Sequence, residues 1–563
     1  MQVRREFEPL QRCTKDLLCR LLYPPRCLFH ISVTRDGLIA AKLNISLPTL
    51  TMPTKPAKKK SGLAFWMQRV LEECDRASIA FAPDPVHDLR VALRRCCSMA
   101  DGVAAIDPDP AWKEMKKAGK RLFRRLGELR DAHVMQEWVH RLDSPGDPVT
   151  APLLQSFAAR ETPLQQDAVQ ALAEFDRKQW LRWSRSLPRR MARFRPGSLV
   201  FRHLALERWT EAYKLHRQAL RSGSAAAFHQ LRIGIKRLRY MVENFLPDQH
   251  AAWSDDLKHT QDLLGEVHDL DVLWPAAVHA NVFPDSDARS RWQNRIGEER
   301  AQRIETYRQK MMGNDGKTQE SLWQVWRGQL PDRKQTESAA LLRLRLWASV
   351  LDPDFRHSRH VARLTLQLYD GLTAIGEGSK PPAQERAMLQ VAALLHDVGR
   401  SDKEKGRHKT TYRMIRRLAP PLGWRAQDLL TAGVIARYHR GALPRARQKP
   451  LRRMSLRQRQ DITRLAAILR LANAFDASRD GRIKRLQVMN GNDENKILLI
   501  AAEGYSSRDN QAEAIAAARH LLETVYRRPV MVKPMKVSNL KLRSRKLETR
   551  NRRPASSRQK AAA

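Results

Sequence analysis

Cysteine is scarce in this 563-residue chain: six residues, at 13, 19, 27, 74, 96 and 97, with no Cys-x-x-Cys pair among them. That spacing leaves no disulfide framework, and the adjacent Cys96 and Cys97 read as small packing residues in a reduced, cytoplasmic setting. Cys27-Leu28-Phe29-His30 offers half the donors of a zinc site and lacks a matching second half. Apolar runs stop short of the roughly 18 residues that mark a membrane helix, so no membrane partner is expected. The N-terminus has arginines but no apolar core with a small-residue cleavage site, which argues against secretion. Acid is short as well, with 60 Asp and Glu against 103 Lys and Arg, a net charge of +43. Such an excess selects nucleic acid, polyphosphate or another anionic surface as partner and says little about fold. The hydrophobic fraction of 42% is enough for real cores, and the length implies several domains.

What the chain does have is a repetition. His87-Asp88-Leu89-Arg90-Val91-Ala92-Leu93-Arg94-Arg95 returns as His229-Gln230-Leu231-Arg232-Ile233-Gly234-Ile235-Lys236-Arg237. Each is followed by a second shared phrase, Leu126-Gly127-Glu128-Leu129-Arg130-Asp131 and Leu264-Gly265-Glu266-Val267-His268-Asp269. Within each motif a His and two cations stand at i, i+3 and i+7, which is one face of a helix. Two copies of one cationic face fit an extended polyanion. A solvated helix face, or a histidine buried for structural reasons, fits each single copy equally well.

The organisation is mainly α. Residues 1–60 do not resemble the rest and end in a Pro/Lys stretch over 53–62, so they read as disordered or as preceding a start at Met52. Residues 61–290 form a duplicated helical bundle, with repeats at about 61–145 and 200–285. In its 111–131 stretch, Trp112, Met115, Gly119, Leu122, Leu126 and Leu129 make an apolar face opposite Lys113, Lys117, Lys120 and Arg124. The matching 255–271 segment is acidic, which skews binding toward the first half. Between the repeats, Arg177-Lys178-Gln179-Trp180-Leu181-Arg182-Trp183 interleaves cations and aromatics. That pattern suits single-stranded nucleic acid, or a core if the two Trp residues face inward. Residues 291–336 are polar and read as a linker, broken at Gly313-Asn314-Asp315-Gly316. Residues 337–532 are helical again but end in a β-hairpin signal around Asn490-Gly491-Asn492-Asp493. The tail, 533–563, has eleven Lys and Arg and one acid, Glu548, and reads as disordered.

The duplicated phrases resemble the CHAD domain, an α-helical family named for its histidines and built as two related bundles; the likeness covers roughly 63–285. Members are associated with inorganic polyphosphate, some with polyphosphate granules. The resemblance implies that both motif helices face a central cationic channel. Its anion-facing residues are then His87, Arg90, Arg94 and Arg95 in the first half and His229, Arg232, Lys236 and Arg237 in the second, with Lys113, Lys117, Lys120 and Arg124 beside them. Arg grips two phosphate oxygens at once and Lys acts as a point charge.

Farther on, His357-Ser358-Arg359-His360 precedes Leu394-Leu395-His396-Asp397-Val398-Gly399. Two imidazoles and a carboxylate so placed can surround one cation that polarises phosphate oxygens and activates water. The region from about 340 to 532 is similar to the HD-type C-terminal domain of the exopolyphosphatase and guanosine-pentaphosphate phosphohydrolase family. Arg437-Tyr438-His439-Arg440 and Leu469-Arg470-Leu471-Ala472-Asn473-Ala474-Phe475-Asp476 carry that likeness. The resemblance puts His357, His396 and Asp397 on ligand positions for a divalent metal, with Asp397 as the catalytic acid group. Asn473 falls where an Asp is usual, and His408 and His439 fall near a second metal. Asp476 fits a structural role better than a ligand's. The family's N-terminal actin-like phosphatase domain, which carries polyphosphate hydrolysis there, has no counterpart in this sequence. The joint expectation is a polyphosphate-binding protein, granule-associated, whose HD-type module regulates or hydrolyses a phosphorylated ligand. The alternatives are a metal-dependent phosphohydrolase with a degenerate site, and a nucleic-acid-binding protein.

Overall fold

The computed structural model describes residues 62–79, 81–312, 320–376, 383–401, 406–491, 497–508 and 510–535. The expectations for 1–60, for the Gly313 to Gly316 break and for the tail beyond 535 lie outside them. Helices dominate. The first module opens with α1 (Leu63–Ile79), α2 (Pro83–Val103) and α3 (Ala111–Leu142). Proline at the start of α2 and Asp84 in its first turn suit a helix N-terminus, where amide N–H groups lack partners and the dipole is positive. Then come α4 (Thr150–Ala158), α5 (Glu161–Ala173), α6 (Arg177–Met191), α7 (Leu199–Ser222), α8 (Ala225–Phe245) and α9 (Pro247–Ala280). Ser224 caps α8 by accepting from the Ala227 amide at 3.3 Å.

The two motif helices, α2 and α8, meet near their C-terminal ends. Gly102 leaves no room for a Cβ beside the Phe245 ring, Asn244 Nδ2 donates to Ser98 Oγ at 2.9 Å, and Arg95 pairs with Glu243. The same close approach holds α8 on α7, where a Cβ on Gly234 would stand 2.9 Å from Leu215 Cδ1. On α3 the predicted apolar face is buried at Trp112, Met115, Gly119, Leu122 and Leu126, and half-buried at Leu129. Gly119 admits Trp180, whose Nε1 donates to the Met67 carbonyl at 3.1 Å. Trp180 and Trp183 are therefore core residues, and the stacking alternative for them falls.

The stretch read as a linker is instead largely helix: α10 (Ser286–Met312), α11 (Leu322–Gly328) and the start of α12 (Arg333–Leu351). Its polar composition belongs to exposed faces, while Tyr307, Met311, Trp323 and Trp326 are buried in the first module's core. The second module continues from α12 through α13 (Phe355–Ile375), α14 (Ala383–Leu395), α15 (Arg407–Arg417), α16 (Ala426–Arg437) and α17 (Leu456–Ala474) around a separate core. The predicted hairpin is β1 (Arg485–Asn490) against β2 (Leu498–Glu503), antiparallel, with Val488 facing Ile500. A strand the sequence reading did not foresee, β3 (Val530–Pro534), follows α18 (Asn510–Tyr526) and pairs parallel to β2. The crossover helix makes that parallel pairing reachable.

Charged contacts join the modules. Glu207 of α7 accepts from Arg343 Nη1 of α12 at 2.6 Å and from the Leu422 amide at 2.8 Å, while His203 Nε2 bonds the Leu422 carbonyl at 3.0 Å. No helix among the described residues is long and apolar enough to cross a membrane.

Candidate functional site

In the first module the two repeats converge. Burial, then Arg232, Arg94 and Arg90, push the Lys236 amine down to about 8, so cations of both motifs share one electrostatic neighbourhood. A cavity of about 520 Å³ is lined by Arg94, Lys116 and Lys120 from the first repeat and by Lys236 and Arg237 from the second, with Arg208 of α7 beside them. Among the described residues, Arg94, Lys120, Arg232 and Lys236 form no ion pair, and Arg94 Nε is buried without a hydrogen-bond partner. Asp101 lines the cavity and Asp131 acts on Lys236 from nearby, but the cations gathered here outnumber these acids, and a bound anion would relieve their mutual repulsion.

A second cavity of about 590 Å³ lies along the same helix and is lined by His87, Arg90, Arg94, Arg130 and His133. Arg94 and Phe123 border both. Arg90 is anchored there: Nη1 donates to the Leu126 carbonyl at 2.9 Å and the guanidinium lies 5.3 Å from the Phe123 ring centre. Its pKa is lowered by burial first, against the pull of Asp131. The second shared phrase thus supplies the wall behind the first.

The remaining motif residues divide. His87 is exposed at the cavity edge, whereas His229 is half-buried with its Nδ1 3.2 Å from His268 Nδ1. His268 is pushed down to about 4 by burial and then by Arg232, His229 and Lys236. Arg95 is spent on Glu243 and the face of Trp66, 5.5 Å from its ring centre. Arg237 lines the 520 Å³ cavity and also pairs with Glu211 at 2.9 Å. Lys113, Lys117 and Arg124 stand exposed on α3 and line neither cavity; Lys116, which pairs with Asp101, takes the inward place with Lys120.

The second candidate site lies where α13, α14, α16 and α17 end or begin. His396 and Asp397 follow α14 directly, and the Gly399 turn is forced: a Cβ there would come within 2.6 Å of the Arg407 carbonyl. Thr411 Oγ1 ties the turn down, accepting from the Gly399 amide at 3.0 Å and donating to the His396 carbonyl at 3.1 Å. His357, His396 and Asp397 each present a ligand atom, all within 4.8 Å of one another. His396 Nδ1 donates to the Ala393 carbonyl at 2.7 Å and His439 Nδ1 to the Ala436 carbonyl at 2.7 Å, which leaves both Nε2 lone pairs facing inward. His396 Nε2 and Asp397 Oδ1 are buried with no hydrogen-bond partner.

Asp476 accepts from His357 Nδ1 at 2.7 Å and from the Gly481 amide at 2.9 Å, so it orients the histidine from behind. His357 Nε2 then meets Asn473 Oδ1 at 3.2 Å. The Asn473 amide thus stands beside the His357 Nε2 lone pair, as a carbonyl oxygen in this placement or as an N–H donor if the amide is turned over. Burial lowers His396 and drives His439 well below the usual histidine range. Burial pushes Asp397 up, but His396, Arg479, His439 and Arg407 together outweigh it and hold the carboxyl well below the usual range. His408 stays outside this group: its Nε2 lies 3.2 Å from where a Cβ on Gly441 would stand, and burial and four neighbouring cations lower its pKa.

Residues 67–277 match the CHAD domain family, and residues 317–517 match Ppx/GppA phosphatase, domain III. The chain joins a CHAD domain to a Ppx/GppA domain III. A solved CHAD domain from the plant Ricinus communis is 19% identical, with a TM-score of 0.33 over 47% of this chain and 88% of that one. No curated protein matches. The two matches together point to polyphosphate or nucleotide-phosphate ligands.

Four arginines absent from the sequence-based candidates complete the domain III site: Arg407, Arg440, Arg470 and Arg479 line a cavity of about 290 Å³ with His357, His439 and Asn473. Arg440 and Arg470 sit inside the phrases that carry the likeness, next to His439 and three residues before Asn473. Arg479 had no such signal. It adopts φ +60° in a loop, bonded through Nη1 to Asp354 at 2.7 Å and through Nη2 to Asp397. In the CHAD domain the unforeseen residues are Arg208, Tyr240 and Phe123, which reach the cavity from outside the motif positions.

Proposed function

We propose that the CHAD domain binds inorganic polyphosphate along the surface where its two repeats meet. One observation carries this: Arg94, Lys116 and Lys120 of one repeat and Lys236 and Arg237 of the other line one cavity. A polymer of bare phosphates needs repeated cations and no base-reading groups, which is the chemistry gathered here. Filter binding of the full chain with polyphosphate and with RNA, at equal phosphate concentration across salt, tests it. Polyphosphate should resist displacement by RNA; RNA that displaces it fully at equal phosphate would favour nucleic acid as the ligand.

The second module supports a phosphohydrolase reading on a separate observation, the buried His396 Nε2 that lacks a hydrogen bond beside His357 and Asp397, whose Oδ1 is met by Arg407 Nε at 3.4 Å. These three groups fit a divalent cation, with Asn473 as a weaker fourth donor and Asp476 holding His357 in its ligating tautomer. Such a cation would polarise a phosphate oxygen and lower the pKa of bound water. Arg440 and Arg470 would hold the phosphate, while Arg407 on Asp397 Oδ1 and Arg479 on Oδ2 would hold the Asp397 carboxylate toward the cation. His396→Ala should abolish both divalent-metal uptake and phosphate release. Unchanged metal uptake in that variant would remove the site.

A further inference from the structure

Domain III has a second concave surface that neither reading uses. It is a cleft of about 1140 Å³, against 290 Å³ at the His–Asp site. Lys409, Arg413 and Arg416 reach it from α15, Arg437 from the end of α16, and Lys449, Arg452 and Arg453 from the connection to α17. Lys409, Arg413 and Arg416 are four and three residues apart, one face of one helix. Among the described residues no Asp or Glu lines the cleft and none of the seven cations forms an ion pair. Arg437 Nε is buried without a partner. Only Tyr412 among the lining residues is aromatic, so the surface lacks the stacking platforms that single-stranded nucleic acid uses.

The same two helices serve both cavities. Arg407 of α15 and Arg440 just after α16 line the His–Asp site, while Lys409, Arg413, Arg416 and Arg437 line the cleft. We propose that this cleft is a second polyphosphate-binding surface, separate from the CHAD cavity, that holds the chain leading to the His–Asp site. The proposal rests on polyphosphate being the ligand of the CHAD domain but on none of that domain's residues.

The test measures polyphosphate binding by the full chain in three forms. Arg94→Ala with Lys236→Ala disables the CHAD cavity; Arg416→Glu, Arg452→Glu and Arg453→Glu reverse the cleft; the third form combines them. The three arginines are exposed and unpaired, and the matching Arg→Lys changes serve as a charge-preserving control. The CHAD variant should retain weaker, salt-sensitive binding, which the cleft reversal lowers by about tenfold or more and the Arg→Lys set largely keeps. Residual binding untouched by the reversal overturns the cleft and leaves the CHAD reading standing. Residual binding taken by RNA in preference to polyphosphate overturns it too. Undiminished affinity after Arg94→Ala with Lys236→Ala sinks the CHAD reading instead, and the reversal alone then decides the cleft.

Discussion

The two halves of the CHAD domain keep the same inner helix and have exchanged the character of the outer one. Motif helices α2 and α8 both turn cations toward one cavity, but α3 presents Lys113, Lys117, Lys120 and Arg124, whereas α9 bears Asp255, Asp256, Asp262, Glu266, Asp269 and Asp271. Those acids are not a second ligand site. Asp271 bonds Arg300 at 2.6 Å, Glu266 pairs with Arg303 and Asp256 with Lys310 at 3.0 Å, so much of the acidic face fastens α10 to the bundle. Asp255, Asp262 and Asp269 make no such pair among the described residues, and burial raises Asp269 to about 6 while Arg232 opposes the shift. Between the two repeats, charge is therefore kept where both halves line a common cavity and differs where one half gained a neighbour.

The largest effect should come from breaking the shared face. Arg94→Ala with Lys236→Ala is expected to weaken polyphosphate binding by about 10- to 100-fold at moderate salt in filter binding. Truncation at Lys533 should cost less; equal losses would place the affinity in the tail. Next, turning from the CHAD cavity to the His–Asp site, Asn473→Asp should raise divalent-metal affinity by about tenfold, read by calorimetry, because a carboxylate is the stronger ligand. No change would put Asn473 outside the coordination shell.

A smaller effect tests the electrostatics of the shared face. Lys236 titrates at about 8 in the free protein, and a bound anion favours its charged form. Affinity is thus fully present below pH 8 and declines as the pH rises above it, by a few-fold toward pH 9. Lys236→Arg should flatten that slope. The stability sign is opposite: between about 8 and 10.5 the unfolded chain holds the Lys236 proton and the folded one does not, so stability rises with pH in that window. The smallest effect belongs to the outer helix. Lys113→Ala with Lys117→Ala should reduce affinity by only about two- to threefold, since neither residue lines a cavity.

Much of this was legible in the sequence because it is periodic. The i, i+3, i+7 motif, its repetition and the apolar face of α3 are patterns of spacing, and spacing decides which side of a helix a residue takes. The His357, His396 and Asp397 trio was legible through the Leu-Leu-His-Asp-Val-Gly phrase, whose Gly is demanded by the backbone of α15. Partner choice was not legible. Nothing near Arg95 announces that Glu243, in the other repeat, will claim it. Arg479 reaches Asp397 from a loop 82 residues away, and spacing rules do not extend that far. The polar linker reading failed for a related reason: α10 and α11 show a few large apolar residues among many charges, and the core they reach belongs to distant helices.

The most direct measurement is the salt dependence of polyphosphate affinity for the full chain and for Arg94→Ala with Lys236→Ala. Two cations that contact the polymer release counterions when it binds, so the variant's log–log slope should be shallower by about one to two. A slope equal to that of the unaltered chain, with affinity also unchanged, would mean the polymer never enters the space between the repeats.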